Sequence, residues 1–176
     1  MGKGTVVHEL LELRPDLALS ISCTTRDPRP GEVDGRDYRF ISPQTFQEMV
    51  DQNAFLEWAE VFGHRYGTLS ESIADQVAAG RNVILEIDVQ GAAAVRQKMP
   101  EAVLIFLAPP SDQELERRLR TRRTESEDEL ERRLAEARRE MEQRSWFDHV
   151  VVNDEVNRAA AEVVSIIDSA SEGQQA

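Results

Sequence analysis

A chain of 176 residues with 40% hydrophobic content is long enough to bury one substantial core, and nothing in its length calls for two independent ones. Its net charge of −12 excludes a general nucleic-acid binder, which needs a clustered positive face, and its single Cys23 excludes an internal disulfide framework or a paired-cysteine zinc site. No run approaches the roughly 18 apolar residues of a membrane span, and the first residues lack a signal-peptide pattern, so the expectation is no membrane association and a cytoplasmic location.

Helical and strand signals alternate, which predicts an α/β sheet with crossover helices. After Gly2-Lys3-Gly4-Thr5, the apolar Val6, Val7, Leu10 and Leu11 recur at helical spacing until Arg14-Pro15 stops them. Residues 17–22 alternate as a strand. Residues 24–42 are rich in Pro, Gly, Arg and Asp and read as exposed turns around a short strand at Tyr38-Arg39-Phe40. A short helix over 43–51, a strand-like run from Phe55 and a helix over 70–79 ended by Gly80 follow. Residues 82–88 read as a buried parallel strand, and 102–108 repeat that signature after a helix over 92–98. A helix from Asp112, a charged turn near Thr124, a longer helix to about Arg144, a strand at 149–153 and a final helix complete the pattern, with 171–176 expected to fray.

Several groups of residues could do chemistry. Gly2-Lys3-Gly4-Thr5 looks like the second half of a phosphate-binding loop, with backbone N–H groups at a helix start, a Lys charge and a Thr hydroxyl able to reach Mg²⁺. Four such residues also describe a plain start before a helix. Arg26, Arg29 and Tyr38 share one turn region with the hydroxyls of Ser22, Thr24 and Thr25, and two guanidiniums with a phenol can surround a phosphate. Asp88 closes an apolar strand, where a carboxylate orients Mg²⁺-bound waters or simply caps the next helix. Between Glu114 and Arg144, ten arginines face ten acids, the composition of an ion-paired helix surface. His8, His64 and His149 read as structural or exposed, and Cys23 as inert packing.

Five segments in order, SCTTRDPRPGEVDGRDYRF, FLEWAEVFGHRYGT, LEIDVQGA, IFLAPPS and RRTES, closely resemble guanylate kinase. The resemblance spans nearly the whole chain. It implies a nucleoside monophosphate kinase fold, with a P-loop parallel-sheet core at 1–22, 69–117 and 145–170, an inserted GMP-binding subdomain at 23–68 and a helical lid at 118–144. Carried over by position, Ser22, Glu57, Thr68 and Asp88 would read guanine, while Arg26, Arg29, Tyr38 and Tyr66 would clamp the GMP phosphate. Gly2, Lys3, Gly4, Thr5, Arg118, Arg122 and Asn153 would hold ATP, and Lys3, Arg26, Arg118, Arg122 and Arg133 would act in transfer. Mg²⁺ would sit near Thr5 and Asp88, through water; the family pattern carries an acidic residue at Glu86 as well. The chemistry agrees, because a carboxylate at Glu57 accepts from guanine's N1–H and 2-amino group, and adenine offers neither donor.

The family's first strand and the opening of its phosphate loop have no counterpart here. Met1 falls where the family often has Val, and a GTG codon is read as Val internally but as Met at a start. With Arg outnumbering Lys nineteen to two, as in a GC-rich genome, a natural start upstream of Met1 is the expectation. The function expected is transfer of the γ-phosphoryl group from ATP to GMP. Other readings are a non-catalytic interaction module built on the same fold, a catalytically impaired shortened product, and a related kinase with another acceptor. The presence of Lys3, Thr5, Asp88 and the lid arginines opposes the module, and Ser22, Glu57 and Thr68 together favour guanine.

Overall fold

The computed structural model describes residues 2–120 and 127–173. In chain order its elements are α1 (Lys3–Leu13), β1 (Ala18–Leu19), β2 (Cys23–Thr24), β3 (Arg39–Phe40), α2 (Pro43–Asp51), β4 (Phe55–Val61), β5 (His64–Leu69), α3 (Ser70–Ala78), β6 (Val83–Ile84), α4 (Val89–Lys98), β7 (Ile105–Ala108), α5 (Asp112–Arg120), α6 (Glu127–Glu142), β8 (His149–Val152) and α7 (Val156–Gly173). They divide into two compact units. One is Pro15–Ala102; the other comprises the described residues of Met1–Arg14 and Val103–Ala176. No described helix is long and apolar enough to cross a membrane.

In the unit Pro15–Ala102, a mixed four-stranded sheet of order β3-β2-β5-β4 carries the architecture. β4 and β5 pair antiparallel from Phe55↔Leu69 to Val61↔His64, so only Phe62 and Gly63 form the connection. Both have positive φ, 51° and 77°, the requirement of a two-residue turn whose twist matches its strands. Helix α2 starts sharply because the Ser42 hydroxyl accepts from the Thr45 N–H at 3.0 Å and Pro43 pre-sets the first turn. It delivers Phe46, fully buried, onto Phe55, with ring centroids 4.5 Å apart, beside Cys23. Cys23 is thereby packing, as expected.

In the other unit, α1 packs against α7, and β7 and β8 pair in parallel from Ile105↔His149 to Ala108↔Val152. Leu115 of α5 meets Leu130, Leu134 and Ala137 of α6 in a small apolar cluster.

Three expectations are corrected. The strand expected over 17–22 is only Ala18–Leu19, and that over 82–88 only Val83–Ile84, because these segments bond to each other at Ala18↔Val83 and Leu19↔Ile84 and part beyond. An apolar run gives burial tendency, whereas strand length needs a partner backbone. β5 was not anticipated at all, since Gly67 interrupts its apolar alternation. The fraying expected from Ser171 does not hold over the described residues: α7 continues through Gly173, and the Ser171 hydroxyl donates to the Ile167 carbonyl at 2.9 Å. The charged turn near Thr124 lies outside the described residues.

Truncating Phe46 removes the largest fully buried side chain of its unit. Phe46→Ala is expected to lower unfolding free energy by about 3–5 kcal/mol in a denaturant titration.

Candidate functional site

The four-stranded sheet sorts its residues by face. Extending the β2–β5 register by one position sets Ser22 opposite Thr68, the β2–β3 register sets Ser22 beside Tyr38, and Thr68 pairs with Glu57. Tyr38, Ser22, Thr68 and Glu57 therefore form one row across the sheet. Phe40, Thr24, Tyr66 and Ala59 form the row two residues along, on the same face. The row between, Arg39, Cys23, Gly67 and Trp58, projects oppositely, toward the Phe46 side. Five of the eight residues expected to bind GMP thus share one sheet face.

Glu57 is buried at 5% exposure, and its Oε1 accepts from the Thr68 hydroxyl at 2.6 Å, with Thr68 itself 1% exposed. Helix α4 packs against β4 and brings Asp88, whose Oδ1 accepts the Gly91 N–H at 2.7 Å as the helix N-cap. At the far end of α4, the Lys98 ammonium donates to the Phe55 carbonyl at 3.0 Å. Burial pushes the Glu57 carboxyl above its usual 4.5; the Thr68 hydroxyl opposes that and the nearby Asp88 charge adds to it. Asp88 therefore does cap a helix, and it also stands within electrostatic reach of Glu57.

The phosphate-clamp candidates form a second group on this unit. The Arg26 guanidinium grips Glu32 with two parallel bonds of 2.9 Å, Nη1 to Oε2 and Nη2 to Oε1, and Nη1 also donates to the Asp27 carbonyl at 2.6 Å. It lies 5.4 Å from the Tyr38 ring centroid and 5.8 Å from that of Phe40. Tyr38 and Tyr66 meet edge to face at 6.0 Å. The Arg26 Nε is buried and makes no hydrogen bond. Glu32 also accepts the Arg29 N–H at 2.7 Å, and Arg26 holds its carboxyl below the ordinary value. The exposed turn expected for Arg26, Arg29 and Tyr38 is corrected: Arg29 is exposed, but Arg26 and Tyr38 are half-buried, because Glu32 folds the loop back onto the aromatic rings.

In the other unit, Gly2 caps α1 at φ 82°, ψ 12°, with no side-chain cap on the helix. A Cβ there would lie 2.9 Å from the Asn153 Nδ2, so glycine is required both by conformation and by the buried Asn153 amide. Asn153 is thereby placed against the start of α1. Gly4 and Thr5 are exposed in the first turn and Lys3 is half-buried. Arg118 of α5 donates from Nε to Glu114 at 2.7 Å, and Arg117 grips the same carboxylate, which Arg117 and then Arg118 pull down to about 2. Arg133 is half-buried on α6, and Arg122 lies outside the described residues.

The family model for guanylate kinase matches residues 1–170 of this chain. The chain belongs to the guanylate kinase family. It is 48% identical over 166 residues to the guanylate kinase of Caldanaerobacter subterraneus subsp. tengcongensis, covering 94% of this chain and 81% of that one. It is 52% identical over 169 residues to that of Mycobacterium sp. (strain MCS), covering 95% and 85%. Its fold matches the crystal structure of guanylate kinase from Anaplasma phagocytophilum with TM-score 0.80 and 34% identity, over 94% of this chain and 80% of that one.

Within this guanylate kinase family chain, sequence reasoning missed Glu32. Its signal was an acid six residues after Arg26 in a turn otherwise crowded with arginines.

The raised Glu57 carboxyl has a readable sign. A carboxyl whose folded value lies above its unfolded one stabilises the fold below about 4.5 and loses that contribution as pH rises through the folded value. Glu57→Gln should therefore gain stability relative to the parent as pH rises above about 4.5, measured by thermal unfolding. A difference that stays flat with pH would contradict the assignment.

Proposed function

We propose that this guanylate kinase family chain transfers the γ-phosphoryl group of ATP to GMP, giving ADP and GDP, with the residues above in the following roles. The observation that carries the residue assignment is the sheet row of Ser22, Thr68 and Glu57, which ends in a buried carboxylate held by a buried hydroxyl. Glu57 accepts guanine's N1–H and 2-amino hydrogens. Adenine in that place would leave the carboxylate facing an acceptor, and an unpaired buried charged group costs about 1–3 kcal/mol or more. Ser22, Thr68 and Asp88 complete the guanine set.

Arg26, Arg29, Tyr38 and Tyr66 bind the GMP phosphate; the grouping of Arg26 over the Tyr38 ring at 5.4 Å and of Tyr38 against Tyr66 at 6.0 Å supports that role. Gly2, Lys3, Gly4 and Thr5 receive the ATP phosphates at the start of α1, whose first turn has no side-chain cap, beside Asn153. A GMP phosphate oxygen attacks the γ-phosphorus in line; the bond from that phosphorus to the β–γ bridging oxygen breaks, and ADP departs with the electron pair. The attacking phosphate is already anionic, so no histidine base is needed. Lys3, Arg26, Arg118, Arg122 and Arg133 neutralise the charge that spreads over the equatorial oxygens. Arg118 reaches that charge by exchanging its Glu114 partner for phosphate. Residues 118–144 act as the lid, 23–68 as the GMP-binding subdomain, and 1–22, 69–117 and 145–170 as the core.

The donor chemistry suits Mg²⁺ carried on nucleotide phosphates. Thr5 would supply a hydroxyl and Asp88 a carboxylate, each through water, and the described residues contain no cluster of three or more His, Cys, Asp or Glu that would make an all-protein cage. When bound, Mg²⁺ would supply positive charge that offsets the charge of the nucleotide phosphates. The same reading places the reaction in the cytoplasm, where both nucleotides are found.

Coupled measurement of ADP formation with ATP and Mg²⁺ should show turnover with GMP and none above background with AMP. Equal rates with both acceptors would reject the guanine assignment. Arg29→Ala should weaken GMP binding about 10- to 100-fold while leaving the melting temperature unchanged, since Arg29 is exposed and a hydrogen bond to a charged group contributes about 1.5–3 kcal/mol. Unchanged GMP affinity would remove Arg29 from the clamp.

A further inference from the structure

Gly91 sits in the first turn of α4, where glycine is an intrinsically poorer helix former than alanine. Its backbone is not left-handed, so conformation gives no reason for glycine there. Space does. A Cβ built on Gly91 would lie 2.6 Å from the Glu57 Oε2, 3.2 Å from the Glu57 Cδ and 3.2 Å from the Ile87 Cβ. The first distance is well inside van der Waals contact. Glu57 has little freedom to yield, because it is buried and its other oxygen is held by Thr68 at 2.6 Å. The Gly91 N–H donates to the Asp88 carboxylate at 2.7 Å.

We infer that Gly91 is a specificity-determining positioning residue: its missing side chain lets both Glu57 oxygens occupy the place from which they accept the two guanine donors, while its N–H aims Asp88 into the same site. This inference rests on the reading of Glu57 as the guanine acceptor. A methyl group at 91 turns the carboxylate about its Thr68-held oxygen, and the two oxygens then no longer accept as a pair. GMP, which offers N1–H and a 2-amino group, loses more than IMP, which offers N1–H alone. Gly91 itself need not touch the nucleotide. Its effect passes through Glu57, so the two positions must be energetically coupled.

Titration calorimetry with GMP and with IMP, on the full chain and on Gly91→Ala, Glu57→Ala and the double variant, tests this directly. The parent is expected to prefer GMP over IMP by about tenfold or more, and Gly91→Ala to narrow that preference to within about threefold, chiefly through weaker GMP binding. In the Glu57→Ala background, Gly91→Ala should change neither affinity by more than about twofold. A Gly91→Ala variant that keeps the parent's preference, or an undiminished Gly91→Ala loss added on top of Glu57→Ala, overturns the inference. Glu57→Ala that keeps the parent's preference rejects the guanine reading of Glu57 itself. Glu57→Ala that loses the preference while Gly91→Ala keeps it rejects only the role of Gly91. If Gly91→Ala does not fold, the double variant is expected to fold with a melting temperature near that of Glu57→Ala, the clash having been removed. A double variant as unfolded as Gly91→Ala would place the strain elsewhere and overturn the inference.

Discussion

A carboxylate taken out of water must be partnered where it lies, and in the unit Pro15–Ala102 the placement of Glu57 satisfies that demand through several elements at once. The Thr68 hydroxyl reaches it only because β4 and β5 are paired in the register Glu57↔Thr68, and that register depends on the two-residue turn at Phe62-Gly63. A slip of one residue would turn Glu57 toward the Phe46 cluster and bring Trp58 to the face that carries Ser22 and Thr68. Helix α4 then closes over the carboxylate, with Lys98 tied to the Phe55 carbonyl and Asp88 capping the opposite end. Sheet register, turn conformation and helix docking are set by the same buried group.

The cationic side of the site follows the same logic with the sign reversed. Arg26 lies against Tyr38 and Phe40, where a guanidinium has lost part of its hydration, and Glu32 supplies the countercharge with a planar, two-bond match. This arrangement holds the guanidinium in a defined orientation, so a ligand bound through Arg26 would not have to organise a flexible side chain. In the other unit, Glu114 does for Arg117 and Arg118 what Glu32 does for Arg26: Arg117 lies in the open, where such a pair contributes little to stability, while Arg118 and Glu114 are part-buried. The arginines that a phosphoryl-transfer site would recruit are thus held in ion pairs.

Local signals were read well where a local cause sets the structure. Helix α2 was legible at both ends because Ser42 and Pro43 define its start within four residues, and Cys23 was legible as packing because a lone thiol in an apolar setting has little else to do. The ends of β1 and β6 were not, since each is defined by the other's backbone some sixty positions away in the chain. β5 escaped notice because Gly67, which breaks its alternation, is there to admit Phe55: a Cβ would stand 2.8 Å from that ring. The exception to the pattern was itself a packing requirement imposed from another strand.

By itself the sequence determined the α/β class, most helix positions and the family, and it supplied the residues proposed to bind the nucleotides, because composition, periodicity and ordered motifs are properties of the chain read along its length. Only the tertiary structure decided which of those residues share a face, that Glu57 is buried while Arg29 is open to solvent, that Glu32 belongs to Arg26, and that Gly91 is empty because Glu57 fills its place. The physical reason is that burial, register and steric contact are set by backbone partners far apart in sequence. No window of neighbouring residues contains them.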